Sequence, residues 1–213
     1  MSQLKIFENT FVDRVNQACK ALAAGRGIVL IDDEDRENEG DLIYSAEHLS
    51  IVNITKMIND CSGIICLCIT AQKANKISLK PMIENNSSLY QTAFTTSIEA
   101  KHGVTTGVSA HDRWVTIQTA IKDNCTLNDL NQPGHVFPLI ARDNGVLARR
   151  GHTEGSIDLV TIAGLNPSAV LCEIMNTDGT MKKVPELIKY AQTYQLPLLT
   201  IDDIYQYRMM QES

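Results

Sequence analysis

The apolar positions fall into alternating helix-like and strand-like runs. Phe11, Val15, Cys19 and Leu22 recur at the spacing of one helical face, and the Gly25-Arg26-Gly27 breaker ends that helix. GIVLI (27–31) is a short apolar run with β-branched residues. It predicts a buried strand that hands the chain to an acidic segment, with LIYSA (42–46) as a second strand. Ser50 is placed to cap a helix through Asn59 that carries Ile51, Ile54 and Ile58 on one face, and GIICLCIT (63–70) is a third strand. Residues 81–88 read as loop and 91–99 as strand. Ser109 to Asp112 predicts a capping-box-like start, with aspartate in place of the usual Glu or Gln, to a helix through Lys122. FPLIAR (137–142) and GVLAR (145–149) predict two strands around a turn at Asp143-Asn144-Gly145. A helix over 154–165, a strand over 169–175 and a turn at Asp178-Gly179 follow. Val184-Pro185 then opens a helix, and LPLLTI (196–201) and a last turn complete the chain.

Helices and strands alternate, but the hairpin-like pairs over 27–46 and 137–149 break a strict βαβ rhythm. The expected fold is α+β, a mixed sheet with helices packed on both faces in three α/β/α layers. The chain shows no repeat, low-complexity tract or flexible linker, so a single domain over residues 1–213 is expected.

Composition narrows the setting. Hydrophobic residues make up 44% and charged residues 21% of the chain, as in ordinary soluble proteins. No stretch approaches the ~18 to 20 apolar residues that span a bilayer. The opening MSQLKIFENT has no basic flank leading into an apolar run, which argues against a signal peptide. A cytoplasmic protein that does not bind membranes is expected. Most of the six cysteines sit in apolar runs, where a reduced thiol behaves as a small hydrophobe. Cys66 and Cys68 have the wrong spacing for a CxxC motif, and on a strand they share one face.

The net charge of −6 has one source. Of 25 acids and 19 bases, seven acids and one arginine lie in DDEDRENEGD (32–41), which leaves 18 of each elsewhere. That balance does not suit a nucleic-acid binder. Close carboxylates call for a cation, and the cluster follows a buried strand that can aim it into a cleft. A calcium loop starting at Asp33 fails, because Asn38 falls where glycine is required and Tyr44 where the bidentate glutamate belongs. A solvated acidic loop is the plainer alternative.

Four further segments can carry chemistry. Arg149-Arg150-Gly151-His152-Thr153 precedes a helix, and guanidinium groups with free N–H groups at a helix start form a phosphate cradle. His152 beside them suits a metal ligand or proton carrier, although a lone histidine is more often structural. His135, in PGHVFP, stands at a strand entrance, where it either acts in chemistry or satisfies a turn. Glu173 interrupts the apolar strand AVLCEIM, and its own face is shared with positions 171 and 175, so it is either partnered or functional. Thr105-Thr106-Gly107-Val108-Ser109 is a phosphate contact or a capping sequence.

Together the runs DDEDRENEGDLI, SGIICLCIT, HGVTTGVSA, PGHVFPL, RRGHTEGSIDL and CEIMNTDGTM resemble, in order, the blocks of the 3,4-dihydroxy-2-butanone 4-phosphate synthase family. The resemblance spans roughly residues 8–207 and leaves nothing for the GTP cyclohydrolase II domain fused to this enzyme in some organisms. It implies a lyase of riboflavin biosynthesis that converts D-ribulose 5-phosphate to L-3,4-dihydroxy-2-butanone 4-phosphate and formate with Mg2+ or Mn2+. It implies Glu37 and His152 as metal ligands, and His135 and Glu173 as essential for catalysis. Cys66, Asp32 and Glu39 correspond to further active-site positions. Substrate contacts are implied for Arg36, Glu37, Asp41, Thr106, Arg149, Arg150, Gly151, His152, Thr153 and Glu173. It also implies a homodimer with its sites close to the subunit interface. A non-catalytic phosphometabolite binder would keep the anion site without needing Glu37, His152, His135 and Glu173 together.

Overall fold

The computed structural model describes residues 9–212; the first eight residues, which include most of the opening segment read above, lie outside it. Among the described residues, seven strands form one mixed sheet in the order β4-β5-β3-β6-β2-β1-β7. They are β1 (Ile28–Ile31), β2 (Gly40–Ser45), β3 (Cys66–Ile69), β4 (Ile98–Ala100), β5 (Leu130–Ile140), β6 (Ser168–Glu173) and β7 (Leu198–Thr200). β1 lies parallel to β7 and β3 parallel to β5, and the other four pairings are antiparallel.

The period of two along each strand sorts the core into two layers. Val29, Ile31, Leu42, Tyr44, Leu67, Val170 and Cys172 face one side. They pack under α2 (Ile51–Asp60), α3 (Ala71–Lys76), α4 (Ala110–Ile121) and α6 (Val184–Tyr194). Ile28, Leu30, Ile43, Cys66, Cys68, Ala169, Leu171 and Leu199 face the other side. There they meet α1 (Phe11–Ala23), α5 (His152–Ile162) and α7 (Ile201–Glu212). The central strands are buried on both faces, which explains their unbroken apolar runs. The α+β reading with helices on both faces holds.

Local signals set most boundaries. Thr10 and Ser50 close capping boxes with Asp13 and Asn53 and so start α1 and α2. At α4 only half the expected box forms: Ser109 Oγ accepts from the Asp112 amide, but the Asp112 carboxylate turns back to Thr105 and Gly107.

Four expectations are corrected. GVLAR forms no strand: Gly145–Leu147 is a 3-10 turn anchored where the Val146 amide donates to Asp158 Oδ2 at 2.8 Å. The strand partners of β5 are instead β3 and β4, and β5 begins at Leu130, seven residues before the predicted start. Within 91–99 only the end joins a ladder, while Phe94 and Thr95 make single bridges. The last turn is the full helix α7, held by an Arg208 to Asp158 ion pair and by Arg14 to Asp203. No helix among the described residues is long and apolar enough to cross a membrane.

Candidate active site

The cleft opens on the α5 side of the sheet, where β2 begins, β3 begins and β6 ends. Register makes Asp41 and Glu173 direct cross-strand partners and sets Cys66 opposite Leu171. Arg36, Glu37, Asp41, Cys66, Arg149, His152, Thr153 and Glu173 line a cavity of about 200 Å³, with Thr92, Phe94, Leu139 and Leu171 completing its walls.

The acidic loop owes its shape to Asp32, which is 1% exposed at the end of β1. Its Oδ2 accepts from Arg36 Nη1 at 2.8 Å and from the Glu37 amide at 3.0 Å, and its Oδ1 accepts from the Glu39 amide at 2.9 Å. Glu37 is thereby turned toward His152, with Oε2 3.6 Å from Nδ1. Asp41 Oδ2 lies 3.8 Å from the same nitrogen. Burial alone would strip His152 of its proton, but Asp41, Glu37 and Asp32 outweigh it and hold the pKa up at about 9. Burial pushes Asp41 well above the usual carboxylate range, with His152 opposing and Glu173 adding to the shift. Burial acts in the same direction on Glu37, but His152 and Arg36 prevail and hold it below its ordinary value.

Asp32, Glu37 and His152 place a ligand atom each within 4.8 Å of one another. Asp32 is already committed to three N–H donors. Glu37 and His152 are the pair with capacity left, and His152 Nε2 is buried without a hydrogen-bond partner among the described residues. Carboxylate oxygen and imidazole nitrogen suit a hard divalent cation such as Mg2+ or Mn2+.

The other half of the cleft has the chemistry to receive an anion. Gly151 caps α5 with no side-chain hydrogen bond, so the first turn offers its N–H groups to a ligand. Arg149 stands beside it, with Nη1 on Glu154 Oε2 at 2.6 Å and Nη2 on the Tyr90 carbonyl at 3.0 Å and Thr92 Oγ1 at 3.2 Å. A Cβ at position 151 would meet the Arg149 guanidinium and Glu154 Oε2, so any larger residue there would displace this ion pair. Tyr90 carried no signal in the sequence. Its hydroxyl donates to the Arg36 carbonyl at 2.6 Å and its ring lies 4.8 Å beneath the Arg36 guanidinium, so it ties the acidic loop to Arg149.

Other candidate residues lie off the cleft lining. Arg150 faces the other way, clasping Asp33 Oδ2 at 2.5 Å and Asp202 Oδ1 at 3.0 Å above the Tyr205 ring. Glu39 pairs with Lys183 at 3.4 Å. His135 lies within β5, its side chain 45% exposed and its Nδ1 2.8 Å from Glu99 Oε1. Gly107, at φ +84°, packs against that same Glu99, so the loop holding Thr106 and His135 form a second cluster at the β4–β5 end of the sheet.

A cation-fitted Glu37–His152 pair beside an anion-receiving helix start, on a three-layer mixed sheet, defines a metal-assisted enzyme for small anionic substrates. The sequence pattern of 3,4-dihydroxy-2-butanone 4-phosphate synthase matches residues 16–207. A protein of that name from Vibrio cholerae serotype O1 is 57% identical over 198 residues, covering 93% of this chain and 91% of its own. One from Shewanella frigidimarina is 58% identical over 197 residues, covering 92% and 90%. A crystal structure of 3,4-dihydroxy-2-butanone 4-phosphate synthase in complex with two magnesium ions superposes with a TM-score of 0.89 at 33% identity, covering 96% of this chain and 98% of that one. The Candida albicans enzyme superposes at 0.83 with 35% identity, covering 91% and 96%. The chain belongs to the 3,4-dihydroxy-2-butanone 4-phosphate synthase family.

Proposed function

We propose that this chain is the lyase that converts D-ribulose 5-phosphate to L-3,4-dihydroxy-2-butanone 4-phosphate and formate in riboflavin biosynthesis, working in the cytoplasm as one domain. The observation that carries the reading is the convergence in one cleft of Glu37 with His152, of Arg149 with Thr153, and of Glu173 with Asp41. The reaction demands proton removal to an enediol, loss of water, skeletal rearrangement and release of one carbon. Arg149 and the α5 amides hold the phosphate, and Thr153 adds a hydroxyl. Arg36 and Asp41 orient sugar hydroxyls. Glu173 exchanges protons with the carbons and oxygens placed before it. Burial pushes the Cys66 thiol well up, so it stays neutral and shapes the floor. Phe94, Leu139 and Leu171 exclude water. When bound at Glu37 and His152, Mg2+ or Mn2+ supplies a Lewis acid for adjacent substrate oxygens.

His135 and Thr106 belong to the same reading through a homodimer. The cluster they form is outside the cleft of its own chain, and a second copy would bring it to the neighbouring cleft. Formate release from D-ribulose 5-phosphate and Mg2+, abolished by chelation and restored by Mg2+ or Mn2+, is the test. Ligand binding with no formate would make the chain a phosphometabolite binder instead.

A further inference from the structure

Ser62 follows directly on α2 and sits between that helix end and the end of β6. Its amide donates to the Glu173 carbonyl at 2.8 Å, and its hydroxyl lies 2.6 Å from Glu173 Oε2. The Ile64 amide and Cys172 Sγ each approach the same Oγ at 3.3 Å. A serine hydroxyl has one proton and two lone pairs. An amide can only donate to it, and the short contact to Glu173 Oε2 is an O–H donated by Ser62. The proton is therefore committed to Glu173, and the lone pairs face Ile64 and Cys172. The turn that carries Ser62 is itself fixed, because Cys61 bridges to Ile174 and Arg113 donates to the Gly63 carbonyl at 2.9 Å.

Glu173 needs such a hold. It stands directly opposite Asp41 in the β2–β6 register, so two acidic side chains crowd one face of the sheet and the Ser62 bond gives Glu173 a single placement there. We infer that Ser62 is a positioning residue for Glu173: it fastens Oε2 and leaves Oε1 as the atom that exchanges protons in the cleft. This rests on the acid–base role given to Glu173 above.

The test is steady-state formate production by Ser62→Ala, Ser62→Thr, Glu173→Gln and the Ser62→Ala/Glu173→Gln double variant, with melting temperatures to confirm folding. Misplacing a reacting group costs roughly 10- to 100-fold, so S62A should lose that much in kcat while KM stays within about twofold. S62T, which keeps the hydroxyl, should recover most of the loss. The double variant should be no slower than E173Q, because Ser62 acts only through Glu173. Wild-type kcat in S62A, or a further loss in the double variant, would overturn the inference. Should S62A not fold, Ser62→Cys offers a weaker donor in the same space and must show a kcat loss with unchanged KM; wild-type kcat there also overturns it. Full turnover in E173Q alone would instead remove the acid–base role of Glu173, and the inference with it.

Discussion

A buried histidine needs charged company to keep its proton, and His152 has Asp41, Glu37 and Asp32 around it. That company is the reason a cation can replace the proton. Glu37→Gln and His152→Ala should each abolish formate production and calorimetrically detected Mn2+ binding while the circular dichroism spectrum stays native. Retained turnover after exhaustive chelation would refute the site. The phosphate role proposed for Arg149 should show only when phosphate is present. Hydrogen bonds to charged groups contribute about 1.5 to 3 kcal/mol each, so losing two in Arg149→Ala should cost roughly 3 to 6 kcal/mol, or about 10² to 10⁴ in kcat/KM. Unphosphorylated ribulose should be a poor substrate that Arg149→Ala makes little worse. Equal fractional losses on both substrates would place Arg149 at the reacting carbons or in folding. Eight residues that line the cleft were named through the family resemblance, whereas of these the chain's own pattern reached only the acidic run, the Arg149 to Thr153 segment and Glu173. Tyr90 and Ser62 escaped because their work is a hydrogen bond to a residue far along the chain, and no local pattern encodes it.

At the scale of elements, the loop before α4 depends on one carboxylate. The Thr105 hydroxyl, with the Gly107 and Thr105 amides, prevails over burial and holds Asp112 down at about 2. An aspartate depressed in the folded state stabilises fully above its unfolded value of about 4, and that contribution disappears as pH falls through the folded value. Urea midpoints for wild type and Asp112→Asn should therefore differ by a constant amount from pH 7 to 5, then converge between about pH 4 and 2. A gap that widened on acidification would show that the charge is not what ties the loop. The elements that could be read were those whose apolar period and caps agree, such as α1, α2 and β1. β5 was cut short because its first half, Leu130 to His135, is polar and contains a proline, yet it pairs with β4 at the sheet edge. GVLAR was misread because a short apolar run fits a strand and a buried turn equally. α7 was missed because its apolar residues form no single stripe: Ile201 and Ile204 reach the core while Met209 and Met210 do not.

At the scale of the molecule, the two clusters of candidate residues sit on different parts of one sheet, and the proposed homodimer would unite them. Mixing denatured His135→Ala and Glu173→Gln chains and refolding them together should regain about a quarter of wild-type formate production, since half the random dimers would hold one intact site of two. No recovery, with each variant dimeric, would place His135 in the cleft of its own chain. Asp41 should set stability against activity. Asp41 is buried, faces Glu173 across neighbouring strands, and keeps Oδ1 without a hydrogen-bond partner among the described residues. Its surroundings disfavour its charge, so the neutral isostere in Asp41→Asn should fold more stably without metal, melting roughly 2 to 4 °C higher for each kcal/mol relieved. Formate production should collapse in the same variant. Heat tolerance and turnover would then select against each other at one position, and a thermostability screen that never measured formate would favour an inactive protein there.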